Sequence, residues 1–134
     1  MIKQFSLNEI DDFAKELVEL FEYKIILLIG GLGAGKTTLV KSIVKSLGCL
    51  NKVSSPTFGI VNELTLNKKK AFHLDLYRIE NSLELIEIGF EDYINSGNYC
   101  FIEWPEIAEE LITEKHHTIN LSFINEQTRK IKFI

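Results

Sequence analysis

Eight consecutive residues, Gly30-Gly31-Leu32-Gly33-Ala34-Gly35-Lys36-Thr37, satisfy the spacing Gly-x-x-x-x-Gly-Lys-Ser/Thr. Glycines let backbone N–H groups curl around phosphate oxygens, and a following helix would add the favourable end of its dipole. In such a loop Lys36 reaches the outer phosphates and Thr37 offers its hydroxyl to magnesium, with Thr38 next in line. A glycine turn before an ordinary helix is the alternative, and the flanking pattern argues against it. The chemistry also calls for a carboxylate at the end of a neighbouring strand, to hold the metal or polarise water. Glu103 follows the apolar run Tyr99-Cys100-Phe101-Ile102, and Asp75 follows Ala71-Phe72-His73-Leu74, a run interrupted by a histidine. Pattern favours Glu103, while Asp75 has a turn cap as its alternative role. Thr57, in the proline-marked loop Ser54-Ser55-Pro56-Thr57, stands where several NTPases keep a hydroxyl that senses the terminal phosphate, although Thr is an ordinary loop residue. Trp104 has the core or the nucleotide flank open to it, and His73 reads as a satisfied interior histidine. His116-His117 has no companions at metal-ligand spacing.

The elements that must position these residues are legible in the hydrophobic periodicity. Ser6-Leu7-Asn8-Glu9 has the form of a capping box, followed by Ile10, Phe13, Ala14, Leu17, Val18 and Phe21 at helical spacing. Lys24 to Ile29 is a short, Ile-rich apolar run of the kind that forms a central strand covered on both faces. After the loop, Leu39, Val40, Ile43, Val44 and Leu47 form one stripe, with Gly48 as the stop. Phe58 to Leu66 and Ala71 to Leu74 read as strands joined at Asn67-Lys68-Lys69-Lys70. Ser82 to Ile88 is a short helix stopped by Gly89, and another piece runs from Glu91 to Ile94. Tyr99 to Ile102 is a second buried strand. Alternation at Ile119, Leu121, Phe123 and at Ile131, Phe133 predicts a closing hairpin around Asn125-Glu126-Gln127. The reading is an α/β chain, a single-domain P-loop NTPase fold over 1–134 with three layers and a mixed central sheet.

Composition narrows the function. At 134 residues, 46% hydrophobic and 25% charged, the sequence supports one globular core. A net charge of −4 argues against nonspecific attraction to nucleic acid, so any such role runs through a partner. Lys68-Lys69-Lys70 reads as a solvated turn. No apolar run is long enough to span a bilayer. Cys49 and Cys100 lack CxxC spacing and read as buried free thiols, consistent with a cytoplasmic protein. ATP is favoured over GTP because Asn67-Lys68-Lys69-Lys70, the near match to Asn-Lys-x-Asp, lacks its aspartate.

Taken together, Gly31 to Thr38, Ser55-Pro56-Thr57-Phe58, His73-Leu74-Asp75-Leu76-Tyr77-Arg78 and Ile102-Glu103-Trp104-Pro105-Glu106 resemble the TsaE (YjeE) family. Glu87 to Glu91 adds a weaker match. Gly31 departs from the family's usual aspartate, with little expected effect because backbone amides do most of the cradling. The resemblance implies a P-loop ATPase serving threonylcarbamoyladenosine modification of tRNA, touching tRNA only indirectly and resetting a TsaB–TsaD complex between turnovers. It implies that Lys36, Asp75 and Glu103 are catalytic and that Thr37 and Glu103 hold magnesium. It also implies that Gly31, Leu32, Gly33, Ala34, Gly35, Thr38, Thr57 and Trp104 join Lys36 and Thr37 at the nucleotide. A small nucleoside or nucleotide kinase is the rival reading, opposed by the absence of a lid-sized insertion and of arginines beyond Arg78 and Arg129. A regulatory module that binds nucleotide without hydrolysing it is a third. Of the two arginines, Arg129 is far in sequence from every motif, which leaves Arg78 as the internal candidate for a catalytic cation, with pairing to a neighbouring acid as its alternative role.

Overall fold

A run of five apolar residues buries both of its faces only in the middle of a sheet, and Ile25–Ile29 does so. The computed structural model describes residues 1–50 and 60–134, so Thr57 and the loop around it lie outside the described residues. In chain order the strands are β1 (Ile2–Ser6), β2 (Ile25–Ile29), β3 (Val61–Leu66), β4 (Lys69–Asp75), β5 (Tyr99–Glu103), β6 (His116–Asn125) and β7 (Thr128–Phe133). The helices are α1 (Ile10–Glu19), α2 (Lys36–Ser46), α3 (Ser82–Glu87) and α4 (Phe90–Ile94), with 3-10 segments at Leu7–Glu9 and Pro105–Leu111. The strands form one sheet in the order β1-β7-β6-β2-β5-β4-β3. Its centre is parallel (β6, β2, β5, β4), and antiparallel strands close both sides.

Side chains of a strand alternate between faces, and here each face has its own core. Ile26, Leu28, Phe101 and Ile119 pack with Leu17 of α1 and Leu39 and Ile43 of α2. Ile25, Leu27, Cys100 and Ile102 face the other way, onto Leu85, Phe90, Ile94 and Ala108. The result is the mixed, three-layer α/β arrangement expected from the sequence.

The departures are local. β1 is an edge strand with only Phe5 buried, so it left no periodic signal among Ile2, Lys3 and Gln4. Ser6 accepts from Asn8 N at 3.4 Å and opens a 3-10 turn instead of a full capping box, while Leu7 N donates to Gln127 O and ties the turn to the β6–β7 connection. Lys69 and Lys70 belong to β4, and the turn is confined to Asn67 and Lys68. Phe123 lies 56% exposed although it continues the alternation of Ile119 and Leu121 in regular register, and its ring meets the Arg129 guanidinium instead of the core. Cys100 is buried, and desolvation pushes its thiol up to about 12, whereas Cys49 is only half-buried. His117 is structural: its Nε2 accepts from Glu22 N at 2.8 Å and Tyr23 N at 3.1 Å. No helix among the described residues is long and apolar enough to cross a membrane.

Ile26 is fully buried at the middle of this sheet. Ile26→Ala should cost about 2–5 kcal/mol of unfolding free energy in urea titration, with the far-ultraviolet circular dichroism of the folded state unchanged.

Candidate functional site

The loop between β2 and α2 is shaped by two residues in the left-handed region, Gly33 at φ 77° and Gly35 at φ 100°. Side chains rarely adopt that conformation, and it turns successive backbone N–H groups toward one side. Gly35 also caps α2, whose first residues leave N–H groups without intrahelical partners. Gly30 is required for a different reason: an added Cβ would lie 2.7 Å from the backbone oxygen of Leu121 on β6. At Gly31 a Cβ would meet nothing within 4 Å, so the space admits the aspartate for which this position is noted.

On one side of the loop stand the acids. Parallel pairing aligns Leu28 with Glu103 and Glu103 with Asp75, so both carboxylates end their strands level with the start of the loop. Thr37, the second residue of α2, places Oγ1 at 2.8 Å and 3.0 Å from the two oxygens of Glu103. Asp75 caps the following turn, accepting from Tyr77 N at 3.0 Å, and lines the same cleft. Its two readings are therefore compatible. Glu103 is 3% exposed, and His73 Nε2 lies 2.5 Å from its Oε2 on the core side.

Lys36 donates to the carbonyls of Gly30 and Gly31, and its Nζ sits 3.8 Å from the centre of the Trp104 ring. Burial lowers its pKa below the ordinary lysine value, with Glu103, Asp75 and Glu106 opposing that shift. Trp104 adopts φ 55°, ψ 55°, a conformation that costs a non-glycine residue about 1–3 kcal/mol. That backbone turn sets its ring over Lys36 and 5.0 Å from the ring of Tyr77.

The opposite side of the loop was not legible in the sequence. Arg129 on β7 is 8% exposed, and its Nε donates to Ala34 O at 3.0 Å. Its Nη1 donates to Asn125 O and Thr128 O, and the guanidinium stacks 4.7 Å from the Phe123 ring. Far in sequence from every motif, Arg129 is nonetheless brought to the loop by the fold: β7 lies two strands from β2 and carries Arg129 against Ala34. A cleft of about 360 Å³ runs across the loop and is lined on this side by Leu7 and Arg129. Gly31, Leu32, Gly33, Gly35, Lys36, Thr37 and Thr38 line its middle, with Asp75, Glu103 and Trp104 on the far side. Ala34 faces a neighbouring groove against β6. Leu7 and Tyr77 also escaped sequence reasoning, because neither belongs to a spacing pattern that signals a ligand.

A buried strand, a glycine-rich loop and a helix start, opposite a carboxylate on the adjacent parallel strand, define the class of P-loop nucleotide-binding folds. The chain belongs to the TsaE family: the family model for threonylcarbamoyl adenosine biosynthesis protein TsaE matches residues 5–131. The TsaE protein of Haemophilus influenzae is 36% identical over 124 residues, covering 91% of this chain and 78% of that protein. The TsaE protein of Synechocystis is 40% identical over 110 residues, covering 78% and 69%. The crystal structure of YdiB from Bacillus subtilis superposes with a TM-score of 0.71 at 26% identity, covering 99% of this chain and 86% of that one.

These contacts separate two kinds of glycine. Gly30→Ala should push the loop off β6 and weaken nucleotide binding at least tenfold in a fluorescent-nucleotide titration, whereas Gly31→Asp should stay within about threefold of the parent. Arg129→Met keeps the apolar stem but removes the charge and the three hydrogen bonds, so it should raise the dissociation constant about tenfold.

Proposed function

We propose that the chain binds ATP with magnesium and hydrolyses it to ADP and phosphate, as the ATPase subunit of threonylcarbamoyladenosine modification of tRNA. The observation that carries this reading is the Thr37 hydroxyl hydrogen-bonded to Glu103 at the mouth of the glycine loop. A hydroxyl and a carboxylate are the hard oxygen donors a magnesium ion takes, so the residues present fit that metal. Thr37 and Glu103 would hold it, and the ion would supply charge neutralisation between the outer phosphates.

The remaining roles follow from position. Backbone N–H groups from Gly31 to Thr38 cradle the phosphates, and Lys36 exchanges its carbonyl partners for the outer phosphate oxygens. Asp75, level with Glu103, polarises water on the metal side of the cleft. Trp104 covers Lys36 and limits its contact with solvent. Thr57 serves as the sensor of the terminal phosphate, a role that rests on the family resemblance.

Hydrolysis in this reading drives a conformational reset of a TsaB–TsaD complex, and contact with tRNA is indirect. A net charge of −4 is consistent with that division of labour, because phosphate backbones reward clustered cations. The setting is the cytoplasm. Arg129 donates from Nε and Nη1 to three carbonyls of its own chain, which holds it in place as a brace for the loop. The partner pair supplies a further cation or orders the Ser55-Pro56-Thr57 loop, and an arginine finger of that kind is worth roughly 10³–10⁵ in rate. The kinase alternative finds no support in an acceptor pocket or an arginine-bearing lid among the described residues.

Steady-state phosphate release should be slow for the chain alone and rise at least tenfold with a TsaB–TsaD pair from the same organism. Lys36→Ala should keep a cooperative thermal transition and lose about 10²-fold or more of the stimulated rate. Release that is already fast alone and indifferent to the pair would remove the partner-dependent mechanism. Transfer of label from ATP to a nucleoside or nucleotide would favour the kinase.

A further inference from the structure

His73 lies on β4, two residues before Asp75, and is fully buried. It lines no part of the cleft among the described residues, and the roles assigned above make no use of it. Its Nε2 lies 2.5 Å from Oε2 of Glu103, while its Nδ1 is buried without a hydrogen-bond partner among the described residues.

That asymmetry selects the tautomer of a neutral ring. With the proton on Nε2, the ring donates to the carboxylate and leaves a bare acceptor at Nδ1. With the proton on Nδ1, a buried N–H would be orphaned, and two acceptors would face each other at 2.5 Å. An apolar side chain would fill this interior site without any orphaned atom, so packing alone does not account for a histidine here.

Glu103 is held from two directions. The Thr37 hydroxyl approaches from α2, and the imidazole approaches from the core through β4. Oε2 thus meets both His73 and, at 2.8 Å, the Thr37 hydroxyl, whereas among the described residues Oε1 has only the Thr37 contact at 3.0 Å. A carboxylate pinned by one oxygen keeps its rotamer and directs the other oxygen toward the loop.

We propose that His73 is a positioning residue for magnesium: by donating from Nε2 to Glu103 Oε2 it fixes the carboxylate so that Oε1 meets the cation beside Thr37. The proposal rests on the reading that Glu103 holds the metal. Partners that orient a metal ligand in this way are typically worth 10–100-fold in metal affinity or activity.

Gln and Asn at position 73 test it, because both are polar and smaller than the ring but differ in reach. A glutamine amide nitrogen falls near the place of Nε2, and an asparagine nitrogen falls near Nδ1, short of Glu103. Trp104 is the single tryptophan of the chain and stands over Lys36, so its emission reports on the site without turnover. Magnesium is titrated into each variant saturated with ADP, and Trp104 emission is read alongside ADP affinity in EDTA and the thermal midpoint.

His73→Asn should raise the half-saturating magnesium concentration at least tenfold with ADP affinity in EDTA unchanged. His73→Gln should lie within about threefold of the parent, even if both variants lose thermal stability. Equal magnesium responses in Gln, Asn and parent would overturn the positioning role and leave His73 a packing residue, as would equal losses in both variants. A parent protein with no magnesium response would instead remove the metal reading of Glu103, and the role of His73 with it. Should His73→Asn fail to fold, His73→Gln against the parent decides: a loss beyond threefold overturns the proposal.

Discussion

The parallel pairing of β2 with β5 is the constraint on which the site depends. It aligns Leu28 with Glu103, so a carboxylate arrives beside the glycine loop through backbone hydrogen bonds instead of a flexible side-chain search. β4 pairs in parallel with β5 and repeats the device, bringing Asp75 level with Glu103. A one-residue slip in either pairing would send a carboxylate to the opposite face of the sheet and bury it in an apolar layer. The two hydrophobic cores prevent such a slip, because Ile102 and Phe101 must keep facing α3–α4 and α1–α2 respectively.

The loop is also held from behind. Gly30 lies against the backbone of β6, and Arg129 reaches across from β7 to the carbonyl of Ala34. The nucleotide loop thus sits between a rigid acidic side, built from β4 and β5, and a cationic brace built from the terminal hairpin. Such preorganisation matters because phosphate chemistry depends on position and electrostatics more than on covalent participation by the protein. The left-handed backbone of Trp104 belongs to the same design: immediately after Glu103 the chain turns so that its ring covers Lys36.

The polar groups beneath this surface form a short chain running from core to cleft, His73 to Glu103 to Thr37. Low local polarity strengthens each link and raises the penalty for losing one. His73 therefore differs from a fully satisfied core histidine: Nε2 meets Glu103, and Nδ1 has no hydrogen-bond partner among the described residues.

Local pattern determined much of this protein. The glycine loop, the buried strand before it, the stripe of α2, the strand leading to Glu103 and the tail hairpin all follow from short-range spacing, because backbone freedom and hydrophobic periodicity are properties of neighbouring residues. Glu103 was legible for the same reason, as a carboxylate closing an apolar run. The edge strand β1 was not, since a strand buried at Phe5 alone has no period to detect. Nor was Arg129, whose relation to Ala34 spans 95 positions and exists only because β7 returns beside β6. Nor was the exposure of Phe123, whose ring meets Arg129 of the paired strand beyond the edge of the core. The link from His73 to Glu103 required the register of β4 on β5. Sequence spacing therefore specified the loop and its nearest carboxylate, and strand order and register decided what braces them, because pairings between distant strands are set by the burial of whole faces and leave no local mark.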